Sequence, residues 1–165
     1  MSPCQRPARQ QRDGGLLSAS GDLRQKAIAL LARREHTRVE LVRKLAAHGT
    51  TEEIEAVIVD LQSSQLQSDA RFADAYLRSR AARFGTSRLR QTLRQKGVDA
   101  ETASTQLAAA DLPDEATRAR ELWVRKFGTA PADAREWAKQ ARFLQSRGFA
   151  SDVIRRLLKD PEGME

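Results

Sequence analysis

Apolar residues along this chain recur at the three-and-four spacing that lines one face of an α-helix, and the pattern predicts an all-α molecule. Phe72, Ala73, Tyr76, Leu77 and Phe84 fall on one stripe, as do Ala134, Trp137, Ala138, Ala141 and Leu144. Glycines at 49, 97 and 148 each close a predicted helix, with Leu45, Leu93 and Leu144 four residues earlier. The segments ELVRKLAAHG, RLRQTLRQKG and KQARFLQSRG therefore read as one helix end used three times. A period near fifty residues is the mark of a helical array whose units stack into a continuous core.

Start signals fill in the rest. Thr37 with Glu40, and Thr50 with Glu53, have the capping-box spacing. Helices are expected over 22–34, 37–48 and 51–66 in a first unit. The second unit should hold helices over 69–84 and 86–96 and a third after Asp99, and Leu112-Pro113 then breaks the chain. In the third unit one helix begins at Asp114 and stops at Gly128, a second runs over 133–147, and a last one starts at Ser151 or Asp152. The expected organisation is a disordered basic tail over 1–21, repeats over 22–67, 68–112 and 113–159, and an acidic tail over 160–165. All eight aromatic residues lie between Phe72 and Phe149, so the first unit must pack with aliphatic side chains alone.

Charge changes the picture more than composition does. The formal net charge is +7, and the excess resides in the second and third units while the first is neutral. Such a field concentrates anionic partners, either nucleic acid or an acidic protein surface. The single cysteine, Cys4, lies in the N-terminal stretch, and no run is apolar and long enough for a signal peptide or membrane span, so a cytoplasmic protein is expected. One Cys and the separated His36 and His48 do not make a zinc set. Gly14-Gly15 lacks the strand and Lys-Ser/Thr of a phosphate loop, so no metal or cofactor is expected. Both histidines are expected at the surface. Glu52, Glu53 and Glu55 occupy the first turn of a helix, where the dipole favours solvated carboxylates, and no catalytic site is expected there.

The cations themselves are the candidate chemistry. Arg135, Lys139 and Arg142 stack at i, i+4 and i+7 on a face away from Trp137 and Leu144, and Arg90 and Arg94 repeat the motif. Like charges so placed repel unless solvent or an anion meets them. Arg80 and Arg83 fall beside the Phe72 stripe, which suggests buried ion pairs with Asp69, Asp74 or a neighbouring acid, or else a contact between units. Phe72/Tyr76 and Trp123/Phe127 are read as core. Phe143 projects away from the Trp137 stripe, and is either covered by the last helix or exposed for contact.

The run DARFADAYLRSRAARFG from Asp69, then SRLRQTLRQKGV, RKFG at 125–128 and RFLQSRGF at 142–149, resembles the RecX family of recombinase regulators. ALLARREHTRVELVRKL, from Ala29 to Leu45, is similar to that family's first unit, so the resemblance spans about residues 22–159. It implies three tandem three-helix repeats in an elongated, curved, right-handed or solenoid-like array. It also implies a non-enzymatic, monomeric regulator of DNA recombination and repair, lodged in the groove of the RecA filament on single-stranded DNA. There it would lower the ATPase, strand-exchange and coprotease activities of RecA. The matched positions are Asp69, Arg71, Phe72, Arg78, Arg80, Gly85, Arg88, Leu89, Leu93, Lys96, Gly97, Phe143, Gly148 and Phe149. Of these, Phe72, Leu89 and Leu93 are assigned to packing, the glycines to helix ends, and the arginines and Lys96 to a charged surface. With the motif cations and Phe143, the expected contact set for the filament or DNA is Arg78, Arg80, Arg88, Arg90, Arg94, Lys96, Arg135, Lys139, Arg142 and Phe143. The alternative is a helix-turn-helix-like DNA-binding module or transcription regulator. Against it stands the lack of a helix whose first turn carries a base-reading set of Arg, Asn and Gln.

Overall fold

The computed structural model describes the backbone of residues 14–160 and the side chains of residues 21–160. Residues 1–13 of the expected N-terminal tail and residues 161–165 of the acidic tail lie outside that range. Two compact units divide the chain at Gln67 and Ser68. Among the described residues there are nine α-helices, one 3-10 turn and no strand.

The first unit contains α1 (Gly14–Leu31), α2 (Arg38–Leu45) and α3 (Thr51–Ser63). Helix α1 begins eight residues before the predicted Asp22, because Leu16, Leu17 and Ala19 favour helix and no proline stops the register. Both predicted caps form: Thr37 Oγ1 accepts from Glu40 N at 3.0 Å, and Thr50 and Glu53 make the full reciprocal box. Leu23 and Ala27 of α1 close over Leu41 and Leu45 of α2 and Ile54, Val57, Ile58 and Leu61 of α3, an aliphatic core as expected. Arg24 ties α1 to Asp60 of α3 at 2.7 Å, and Arg38 ties α2 to Glu55.

His36 is not at the surface. It is 3% exposed in the α1–α2 connection, where its Nδ1–H donates to the Arg34 carbonyl at 2.9 Å and its own carbonyl accepts from Gln67 Nε2 at 3.1 Å. Burial pushes the imidazole below its ordinary pKa, opposed by the bond to the Arg34 backbone. His48 is exposed as expected, within 3.1 Å of Lys26 Nζ.

The second unit holds two three-helix sets. One is α4 (Asp69–Arg80), α5 (Thr86–Gln95) and α6 (Ala100–Ala109); the other is α7 (Glu115–Lys126), α8 (Ala134–Ser146) and α9 (Ser151–Lys159). Phe72, Ala73, Leu77, Leu89, Leu93, Val98 and Ala103 form the first core, and Ala119, Trp123, Leu144, Phe149, Val153, Ile154, Leu157 and Leu158 the second. Gly97 and Gly148 end α5 and α8 with φ of 90° and 83°, a region that costs other residues strain. The amides that follow, Val98 N and Phe149 N, reach back to Leu93 O and Leu144 O, and both side chains drop into the cores. Gly49 does not share this geometry, so the thrice-repeated helix end is a conformational repeat only twice.

Helix α4 was expected to continue to Phe84, but it ends at Arg80 and tightens into a 3-10 turn over Ala81–Arg83. That interruption opens the seat that Arg118 fills.

Candidate interaction surfaces on the second unit

Phe84 is extended after the turn, Gly85 caps α5, and the carbonyls of Ala81, Ala82 and Phe84 are left at the blunt end of α4. Arg118 of α7 fills that end. It is 5% exposed, and its Nη1 donates to Ala81 O at 3.2 Å and Phe84 O at 2.8 Å, its Nη2 to Thr86 Oγ1 at 3.1 Å and its Nε to Pro113 O at 3.0 Å. A guanidinium fork suits this seat, because it spreads donors in a plane toward the negative end of a helix. Burial lowers the Arg118 pKa, and the charges of Glu115 and Asp114 oppose that shift. Glu115 Oε1 in turn accepts from Thr86 N at 3.1 Å, and Arg125 Nη2 donates to Ala82 O at 2.8 Å.

The other side of the joint is backbone against backbone. Gly85 N donates to Arg147 O at 2.9 Å, and a Cβ on Gly85 would lie 2.2 Å from Gly148 O. A Cβ on Gly148 would lie 2.4 Å from Arg88 Cβ. Glycine is required at both positions by close approach. Arg147 caps the joint, its guanidinium 5.7 Å from the Phe84 ring and 5.2 Å from that of Phe143.

The predicted contact residues distribute unevenly. Arg80 and Arg83 are exposed and form no ion pair among the described residues, contrary to the buried pairing expected of them. The 3-10 turn after Arg80 takes Arg83 off the Phe72 stripe, Asp74 pairs with Arg78 instead of Arg80, and the buried arginine is Arg118. Lys96 is half-buried, with its ammonium 5.7 Å from the Phe72 ring. Phe143 is half-buried too, packed edge-on against Phe127 at 5.4 Å and 86° and against the core that α9 helps to build.

On α8 the buried face centres on Gln140 and Leu144. Trp123 explains why: its buried indole N–H needs an acceptor, and Gln140 Oε1 supplies one at 2.6 Å. Trp137, three residues before Gln140, is thereby carried to the edge of the helix and is 38% exposed rather than core. Arg135, Lys139 and Arg142 are exposed as the wheel requires. Arg135 and Lys139 line a recess of about 410 Å³ together with Asp133 and Glu136, whose carboxylates accept from the backbone at the start of the helix.

Helix α5 is different. Its sequence, TSRLRQTLRQ, contains no acid, and Arg88, Arg90 and Arg94 are exposed with no ion pair among the described residues. Ser87, Arg90, Gln91, Arg94 and Gln95 line an open groove of about 580 Å³ along the helix. Ser87, Gln91 and Gln95 were missed from the sequence, although their i, i+4, i+8 spacing opposite Leu89 and Leu93 was available as a signal. Among the described residues no group of three or more His, Cys, Asp or Glu is placed to hold a metal ion, and no helix is long and apolar enough to cross a membrane.

Family models for the first, second and third three-helix domains of RecX match residues 24–61, 68–107 and 114–158 in that order. The chain belongs to the RecX family. Regulatory protein RecX of Leptothrix cholodnii is 51% identical over 138 residues, covering 83% of this chain and 87% of the relative. That of Chromobacterium violaceum is 46% identical over 144 residues, covering 86% and 93%. The crystal structure of RecX from Lactobacillus salivarius superposes with a TM-score of 0.74 over 87% of this chain and 97% of that one, at 20% identity. The fold is thus kept where the sequence has drifted far. This chain is a RecX-type regulator built from three tandem three-helix domains, and the locked joint lies between the second and the third.

Proposed function

We propose that this RecX-family regulator acts by binding, with no catalytic step, on the RecA recombinase filament assembled on single-stranded DNA. Binding in the filament groove lowers RecA ATPase, strand-exchange and coprotease activity. The observation that carries this reading is the match to all three RecX domains in order. The exposed cations of α5 and α8 support it, because a fibre of protein wound on a polyanion presents complementary charge. Several modest contacts carried on linked helical sets add as an effective concentration rather than as one tight site.

The test is a titration of the protein into RecA, single-stranded DNA and ATP, following hydrolysis. Slowing at substoichiometric protein is expected, and no effect at stoichiometric excess refutes the reading. Charge reversal at Arg135, Lys139 and Arg142 should raise the half-inhibitory concentration. An unchanged value removes the α8 face from the interface.

A further inference from the structure

We propose that the first unit carries a docking recess for a short acidic peptide segment bearing an apolar side chain, presented by a partner protein. The inference goes beyond the filament reading and does not rest on it. An open recess of about 400 Å³ is lined from α1, α2 and the turns that follow them, with Lys26, Arg33, Lys44 and His48 around it. Ala29, Leu30 and Leu45 supply its apolar wall, and Leu45 belongs to the core of the unit. Among the described residues no acid lines it.

Segregation of charge sets this recess apart from an ordinary solvated face. The first unit is formally neutral, but four of its carboxylates are engaged elsewhere: Asp60 with Arg24, Glu40 with Arg34, Glu55 with Arg38, and Glu53 with the amide of Thr50. Lys26, Arg33 and Lys44 form no ion pair among the described residues. The Lys26 ammonium instead donates to the His48 ring, Nζ to Nδ1 at 3.1 Å. Helix ends favour cations, which accounts for Lys44 in the last turn of α2, but Lys26 lies more than a turn before the end of α1.

The layout of the cations selects a peptide over a phosphate. Lys26 and Arg33 are seven residues apart on α1 and the turn continuing it, about 10 Å along the axis, so the charges form a line and do not converge on a point. Carboxylates on an extended chain, which rises about 3.3 Å per residue, run along such a line. A phosphate gathers donors around one centre and is favoured at helix N-termini, whereas both helices here present their C-terminal ends. The apolar wall lets one non-polar side chain of the peptide leave water, a feature for which a bare polyanion has no use.

The probe is a fluorescein-labelled peptide of four glutamates followed by leucine and phenylalanine, EEEELF, titrated with the intact protein alone at about 50 mM salt and read by anisotropy. Binding with a Kd below about 1 mM is expected. EEEEGG, without the apolar end, and QQQQLF, without the charge, should each bind at least about tenfold more weakly, which tests both halves of the recess on the wild-type protein. Lys26→Ala/Arg33→Ala/Lys44→Ala should lose about tenfold or more, whereas Lys126→Ala/Arg155→Ala/Lys159→Ala, which removes equal charge outside the first unit, should stay within about twofold. Far-UV melts matching the wild type establish that the variants fold. The proposal is overturned if EEEELF does not bind, if either comparison peptide binds as well, or if the two triple variants lose equally. It is also overturned if a labelled oligothymidylate of equal charge loses more than EEEELF does in the Lys26 variant, which would give the recess to nucleic acid. No recombinase is present, so this assay and the hydrolysis titration fail independently.

Discussion

Replacing Arg118 with alanine tests whether the second and third helical sets are held together by one side chain. The substitution deletes four hydrogen bonds from a residue that is 5% exposed, two of them to carbonyls at the end of the α4 turn. A charged hydrogen bond contributes about 1.5–3 kcal/mol, and a buried acceptor left without a donor costs about 1–3 kcal/mol. Simple addition overshoots, because Ala81 O also accepts from Phe84 N at 3.4 Å and water can enter the vacated seat. Breaking a buried charged cluster by removing one member costs about 3–5 kcal/mol, and the lower end, about 3 kcal/mol, is the expectation here. For a unit near a hundred residues this lowers the melting temperature by about 12 °C or more. Urea titration followed by Trp fluorescence and far-UV CD is the assay, since Trp123 and Trp137 both report on the third set. Arg125→Ala, which loses one exposed bond to Ala82 O, is the control and should cost less than about 1 kcal/mol. A loss at Arg118→Ala no larger than that of the control would refute the claim that this residue locks the joint.

Gly85→Ala should destabilise the same unit by about 1–3 kcal/mol, because its methyl meets the Gly148 backbone rather than a side chain that can turn away; urea midpoints check this, and a neutral outcome would mean that the joint can part without loss. The first unit should weaken in mild acid through His36. Its folded pKa is depressed, so below the unfolded value of about 6.5 the unfolded chain binds the extra proton and stability falls until the folded pKa is passed. Urea midpoints should therefore drop from pH 7.5 to 5.5, and His36→Gln should flatten that dependence if the imidazole is its source.

Much of the fold was legible because its signals are local. Thr50 with Glu53 starts a helix wherever that helix ends up, since both capping bonds close within four residues. Gly97 and Gly148 stop helices for an equally local reason, a positive φ. The charged faces of α5 and α8 followed from helical periodicity, which fixes where a side chain points relative to its own axis. The errors share a cause as well. For Arg83 the α-helical wheel runs through a stretch that tightens into a 3-10 turn, and for Trp137 the apolar stripe is turned by the bond between Gln140 and Trp123. His36 carried no local mark of burial, because what covers it comes from Gln67, thirty-one residues on.

Helical class, the two glycine-ended helices, the aliphatic make-up of the first core and the cationic character of α5 and α8 are all written in the order of residues along the chain. The helices and their ends are set within about one turn, and the residue types of the first core and of the two charged helices follow from composition and periodicity before any packing occurs. Packing between distant segments makes Arg118 the buried arginine, brings Gly85 against Gly148, and leaves Trp137 facing solvent while Trp123 does not. Those outcomes depend on which carbonyls, rings and amides meet across seventeen or more residues of chain. A buried donor is satisfied by whatever acceptor the packing brings to it, and no single segment contains that information.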